Sequence, residues 1–390
     1  MSSSIDVVIA GGGVMGASVA YHLLSLDPKL SVGVVERDPT YRYASSALSA
    51  SSIRQQFSTP INIAMSRYGF GFYRNIKHLL STPEADADIG LIERGYLYLA
   101  DAAGTDGLRR VHGIQRAAGV DVALLDPVEL QTMFPWLATD GLTLGSYGRS
   151  GEGWFDGYAV LQAFRRKARA LGAQFISDTV TGFEASAKHI DAVRLAGGGR
   201  LRCGAVVNAA GPQARAVAAF AGIDLPVYAE RHCVFVFECP DPPRDAPLVI
   251  DPTGAYFRPE GRQFIGGAPP DPRAAPTDSL DVVHAEFDEV LWPTLARRVP
   301  AFEALRTTGA WAGHYEMNRF DGNAIIGLAA DMSNLYFING FSGHGMQHAP
   351  PAGLGLAELI VHGAYRTLDL SPLSYTRIAE GKPLREINII

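Results

Sequence analysis

Residues 5–10 form a short apolar run, glycines crowd positions 11–16, residues 17–26 are helix-compatible, and residues 31–36 are apolar again. Two continuous apolar runs flanking a helical segment predict a β-α-β unit with buried strands, starting almost at residue 1. Ile61, Met65, Tyr68, Phe72, Ile76 and Leu79 recur at helical spacing and predict one long amphipathic helix, ended by Ser81, Thr82 and Pro83. Residues 89–100 alternate as a strand does. Val160, Phe164, Ala168 and Leu171 mark one face of a helix over residues 158–171.

In the second half, residues 192–203 read as a hairpin around Gly197, Gly198 and Gly199, feeding a buried strand at 205–209 that breaks at Ala210, Gly211 and Pro212. Residues 231–238, 255–258 and 263–266 have strand character and are separated by proline-rich loops, which predicts an antiparallel sheet inserted between parallel-sheet segments. Leu280, Val283, Phe287, Leu291 and Leu295 form a helical stripe that Pro293 kinks or ends. An apolar strand at 334–339 then leads through glycine-rich residues 340–347 into a helix at 352–362.

The chain has 390 residues, 47% apolar and 19% charged, which excludes disorder by composition. A formal charge of −6 offers no basic footprint for nucleic acid. Cys203, Cys233 and Cys239 are odd in number and form no CxxC pair, against a disulfide framework or a structural zinc site. No basic stretch precedes the first apolar run, and glycines cut that run, so neither a signal peptide nor a membrane span is expected. A cytoplasmic location follows as the expectation.

Gly11, Gly13 and Gly16 satisfy GxGxxG between a predicted strand and helix. The first glycine permits the tight turn, the second lets a pyrophosphate approach the backbone, and the third lets helix and strand pack closely. Glu36 ends the second strand twenty residues later, where its carboxylate accepts from an adenosine ribose and repels a 2′-phosphate. The motif serves FAD and NAD equally. A second glycine set, Gly340, Gly343 and Gly345, precedes the last helix and again exposes backbone N–H groups to negative charge.

The sequence resembles the D-amino-acid oxidase (DAO) type of FAD-dependent oxidoreductases, the group with sarcosine oxidase, glycine oxidase and sarcosine dehydrogenase. The carriers are residues 11–16 with Glu36, the stretch from Ser45 and Ser46 to Arg54, residues 206–211 (VVNAAG), 255–259 (AYFRP) and 340–347 (GFSGHGMQ). Residues 311–327 (WAGHYEMNRFDGNAIIG) look most like the branch containing a mitochondrial complex I assembly flavoprotein. The resemblance implies an α/β fold: a discontinuous Rossmann-like FAD-binding domain (residues 1–84, 150–226 and 316–390) carrying an antiparallel-sheet substrate domain (85–149 and 227–315). It implies extended FAD against Gly11, Gly13, Met15, Gly16, Glu36, Arg37, Ser45, Ser46, Ser52, Val180, Ala210 and Gly211. The isoalloxazine would lie against Gly340, Ser342, Gly343, His344, Gly345, Met346 and Gln347. Relatives attach FAD through a cysteine in the segment matching 313–315 or a histidine in the one matching 49–52; this chain has neither, so noncovalent FAD is expected.

The resemblance makes Arg54 the clamp for a substrate carboxylate, since a guanidinium pairs with a carboxylate bidentately. Strand alternation puts Tyr256 and Arg258 on one face, so both or neither should see the ligand. Tyr315 and His232 match pocket positions of relatives. His344, between two glycines, is read as exposed and facing flavin or substrate; His348 fits either a cap or packing. Sarcosine oxidase has a lysine on the strand matching 263–265 and another at the position of Gln347. The lysines here are Lys29, Lys77, Lys167, Lys188 and Lys382, none at either place, although Arg262 is near the first. Slow reaction with oxygen is therefore expected, with a quinone or an electron-transfer protein as acceptor in preference to oxygen. The expected activity is oxidation of the C–N bond of a small amino acid, preferably a secondary or tertiary amine. The alternatives are a D-amino-acid dehydrogenase and a flavin-binding assembly or scaffold protein with little turnover.

Overall fold

The apolar runs Ile5–Ala10 and Val32–Glu36 pair in parallel, Val7 with Val32 and Ile9 with Val34, and the helix Val14–Leu26 crosses between them. Both strands are covered on both faces, which is why their sequences read as unbroken apolar runs. The computed structural model describes residues 4–387. Its first sheet runs in the order Ile325–Leu328, Leu335–Asn339, Arg200–Asn208, Ile5–Ala10, Val32–Glu36, Gln174–Ser177, parallel except for the first pair. The hairpin strands Val180–Ser186 and His189–Leu195 extend it beside Arg200–Asn208. Helices Gly157–Ala170 and Gly345–His362 pack on Val14–Leu26, burying Leu23, Phe164 and Leu356 in one core.

The second sheet runs Arg306–Asn318, Val227–Glu238, Gln263–Gly267, Tyr256–Glu260, Leu248–Ile250, Tyr96–Ala100, Leu144–Gly148, Val122–Leu125. It departs from the expected antiparallel sheet at one pair: Leu248–Ile250 lies parallel to Tyr96–Ala100. These strands come from distant chain segments, so no hairpin fixes their relative direction. Phe235, Phe237, Phe257, Phe264 and Phe302 fill the core beneath this sheet, with Phe302 edge-on to Phe237 and Phe257.

Four predicted elements end differently. The long helix is two, Pro60–Arg74 and Ile76–Leu80, because Asn75 leaves helical geometry and its side-chain amide takes the Gly71 carbonyl. Only Tyr96–Ala100 of the predicted 89–100 strand joins the sheet; Ile92 makes one isolated bridge to Trp154. Pro293 does not end the helical run: the wide π-helical turn Phe287–Leu291 passes directly into the helix Trp292–Arg298, so the proline falls at an irregular turn as a kink would, while Leu280 lies outside any helix. The last helix starts seven residues earlier than predicted, at Gly345, despite Pro350 and Pro351. The Met346 carbonyl, four residues before Pro350 and deprived of its helical donor, accepts instead from Tyr73 Oη at 2.5 Å.

Candidate active site

The C-terminal ends of Ile5–Ala10 and Arg200–Asn208 open onto a cavity of about 1310 Å³ that runs from Glu36 to Met346. Ligands of open α/β sheets bind at this end of the strands. Gly11 has φ +101°, and a Cβ there would stand 2.4 Å from the Ala209 carbonyl oxygen. A Cβ on Gly16 would lie 1.9 Å from the Gly11 carbonyl oxygen, so helix and strand touch backbone to backbone. Gly16 thus shapes the turn from behind and does not line the cavity.

Around the helix start, Val14 N–H donates to Ser46 Oγ at 3.0 Å and Gly12 N–H to Glu36 Oε2 at 2.8 Å. Glu36 Oε1 accepts from Asp38 N–H at 2.9 Å, so the carboxylate is fixed by its own loop while still lining the cavity. Ser45 Oγ lines the same wall, buried and without a hydrogen-bond partner among the described residues. An orphaned hydroxyl beside free helix N–H groups fits a phosphate oxygen.

Of the remaining predicted cofactor residues, Gly11, Gly13, Met15, Arg37, Ser46, Val180, Ala210, Gly211, Gly343, Gly345 and Met346 line the cavity. Ser52, Gly340, Ser342, His344 and Gln347 do not. Ser52 Oγ accepts from Tyr96 Oη at 2.5 Å. Ser342, at φ +49°, ties its turn to the neighbouring strand by accepting from Asn318 N–H at 3.0 Å. Gln347 is 3% exposed; its Oε1 accepts from Arg54 N–H at 2.8 Å and its Nε2 donates to Ser66 Oγ at 3.4 Å. Sequence reasoning missed the loop of Tyr41 and Arg42, the far-side residues Asp278 and Leu280, and Glu316, all of which line the cavity without any motif to mark them.

Tyr256, Tyr315 and His232 line the cavity together. His232 stacks on Tyr315 with ring centroids 3.8 Å apart and is held by Glu230 at 3.1 Å. That bond keeps the Glu230 carboxyl below the usual range. Arg54 lies behind this wall: its guanidinium carbon is 4.4 Å from the Phe57 ring centroid and 6.0 Å from that of Tyr98. Tyr98 Oη is buried without a hydrogen-bond partner among the described residues. Buried Glu152 holds the next two residues, accepting from Gln55 N–H at 2.5 Å and Gln56 Nε2 at 2.9 Å. Burial pushes Glu152 up to about 7, against the pull of these bonds.

Two expectations are corrected. Tyr256 and Arg258 do not share a fate: Arg258 is 3% exposed, outside the cavity lining, and donates to the Ala50 and Pro259 carbonyls and to Glu260. Its length carries the head past the strand face to the 49–52 loop. His344 is not exposed but 4% accessible, packed 5.4 Å from Phe57 and 5.1 Å from His348. Burial, with Arg54 second, holds it down to about 3, so it is neutral. His348 Nε2 lies 2.8 Å from Ser66 Oγ, a packing role. Arg262 is exposed at a hairpin tip away from the cavity.

This geometry is that of a dinucleotide-binding fold, and the family model of DAO FAD-dependent oxidoreductases matches residues 6–359. The chain belongs to that family. It is 42% identical to FAD-dependent oxidoreductase domain-containing protein 1 of Xenopus laevis, over 99% of this chain and 85% of the relative. Human mitochondrial sarcosine dehydrogenase is 26% identical over 93% of this chain and 40% of its own length. Among solved structures, L-proline dehydrogenase from P. horikoshii superposes with TM-score 0.87 at 25% identity, covering 98% of this chain and all of that one. Glycine oxidase from Geobacillus kaustophilus gives 0.83 at 24% identity, covering 95% and 98%. FAD is the cofactor, and the glycine turn, Ser45 and Glu36 fit it. No helix among the described residues is long and apolar enough to cross a membrane.

Proposed function

We propose that this protein oxidises the C–N bond of a small amino acid, preferably one with a secondary or tertiary amine. The observation that carries the reading is Arg54, buried beside the cavity lining, close enough to Tyr315 to interact with it electrostatically, and fixed through its backbone by Gln347. A guanidinium in this aromatic wall offers a substrate carboxylate two parallel bonds in a low-dielectric site, where charge pairing is strong. Tyr98 Oη, with no hydrogen-bond partner among the described residues, adds a donor near Arg54.

FAD, when bound, supplies the acceptor for the hydride that leaves the carbon beside the nitrogen. The chain would hold the substrate in the cavity against Tyr256 and Tyr315, its carboxylate directed toward the buried Arg54, and shield it from bulk water. His232, oriented by Glu230, stands in the cavity where it can take the proton an ammonium substrate must lose. The imine product hydrolyses in water. Similarity to proteins named for sarcosine, glycine and L-proline supports a small amino acid, and L-proline is itself a secondary amine.

A dehydrogenase is favoured over an oxidase. No lysine lines the cavity, and Ile265 and Gln347, at or near the positions where relatives carry lysine, are both buried. Without an ammonium to stabilise developing superoxide, a quinone or an electron-transfer protein is the expected acceptor. Anaerobic mixing with N-methyl, N-carboxyalkyl and D-amino acids tests the reading by loss of the oxidised-flavin absorbance. Arg54→Ala should weaken apparent affinity for a reactive acid on the order of 100-fold. If no panel member bleaches the cofactor, the amine reading fails and a scaffold role with little turnover takes its place.

A further inference from the structure

Glu316 follows Tyr315 in the strand Arg306–Asn318 and lines the same cavity. Its Oε1 faces Phe341 N–H at 3.5 Å, and its own carbonyl accepts from Ser342 N–H at 3.2 Å. Oε2 is shielded from solvent and has no hydrogen-bond partner among the described residues. A Cβ built on Gly211 would stand 4.0 Å from that oxygen. The carboxyl therefore sits between the turn after Arg200–Asn208 and the turn after Leu335–Asn339, the two backbone corners that face the cofactor.

An ionised carboxylate in this place is poorly compensated. Burial dominates and lifts the group to about 7, while the N–H groups of Gly340 and Phe341 pull the other way. The titratable and charged groups around it are His314, Tyr315 and Arg319 along its own chain, Tyr228, Glu230, Arg231 and His232 on the paired strand, and Asp278 across the cavity. The two turns bring none before Arg215 and His344, and no side chain offsets the burial. A diphosphate-bearing cofactor adds negative charge to the cavity, which favours the neutral acid further. A neutral carboxyl held in an apolar site is a hydrogen-bond donor.

We propose that Glu316 holds FAD as a protonated carboxyl, donating from Oε2 to an acceptor on the flavin half of the cofactor, so that retention of FAD depends on this proton. The flavin half is assigned because Glu316 abuts the turn leading to Gly343 and Met346, whereas the adenosine end lies at Glu36. The inference rests on the FAD site and not on the amine reading.

The test measures FAD binding to apoprotein by flavin fluorescence quenching, for the wild type and Glu316→Gln, with ADP binding in parallel. Loss of the proton should raise the wild-type Kd for FAD on the order of 20-fold between about pH 6.5 and about pH 8.5. Glu316→Gln keeps a donor that cannot ionise, so its FAD affinity should be flat over that range, as should ADP affinity in both proteins. Wild-type binding of FAD at about pH 8 should also take up about one proton, read from calorimetry in buffers of different ionisation enthalpy. That measurement stands alone if Glu316→Gln does not fold. Equal pH profiles in the two proteins, a wild-type profile shared by ADP, or no proton uptake would each overturn the proposal.

Discussion

Glu386, near the C-terminus, is 6% exposed and caps a helix 326 residues upstream in the sequence. Its carboxylate accepts from the N–H and hydroxyl of Ser58, from Thr59 N–H at 3.2 Å and Oγ1 at 2.8 Å, and from Asn62 Nδ2 at 3.0 Å. The helix Pro60–Arg74 needs this help, because Thr59 makes no side-chain cap and its first turn holds no acid. A partly buried charge at a helix N-terminus is worth up to about 2 kcal/mol, and stranding buried donors costs about 1–3 kcal/mol. These terms share the same bonds and do not sum, so Glu386→Ala should cost about 3 kcal/mol. Glu386→Gln keeps a neutral acceptor and should cost about half that. Thermal unfolding followed by circular dichroism should show a fall in Tm of roughly 3–4 °C for Glu386→Ala. Because Arg54 and Phe57 immediately precede this helix, the same variant should weaken substrate affinity more than FAD affinity. A loss below about 1 kcal/mol would refute the cap and make the tail an idle extension.

Two further outcomes are expected. His344 is neutral when folded but binds a proton when unfolded below its ordinary 6.5, so it withdraws stability as pH falls from there toward about 3. The cost of His344→Asn should therefore be about 2 kcal/mol smaller at about pH 5 than at about pH 7 by urea denaturation. The comparison with wild type cancels the opposite slope from Glu152 and Glu316, whose raised values favour the folded state as pH falls. Gly69→Ala would set a Cβ 2.2 Å from the Gln347 carbonyl oxygen, forcing helices Pro60–Arg74 and Gly345–His362 apart. The expected loss is about 2–3 kcal/mol in chemical unfolding, with Arg54-dependent binding falling alongside because Gln347 moves.

The glycine turn and the strands around it were legible because their physics is local. Gly11, Gly13 and Gly16 need only their own strand and helix to form the turn, and Glu36 needs only to end the next strand, so spacing along the chain carried the signal. Buried parallel strands, with their continuous apolar runs, were equally plain. Helix ends were less so where a side chain or a distant group supplied the missing bond, as Asn75 did for Gly71 and Tyr73 for Met346.

What only the tertiary structure decided is which polar side chains are spent on holding the backbone and which face the cavity. Arg258 and Tyr256 have the same strand parity, yet one reaches across to Ala50 while the other lines the cavity. His344 looked open between two glycines, but Phe57 and His348 from other turns enclose it. Glu316 and Glu386 carry no sequence signature, because a carboxylate's role is set by the donors around it, and those lie from 25 to 328 residues away in the sequence. Periodicity records which face of an element is buried; it holds no record of the partners that burial supplies.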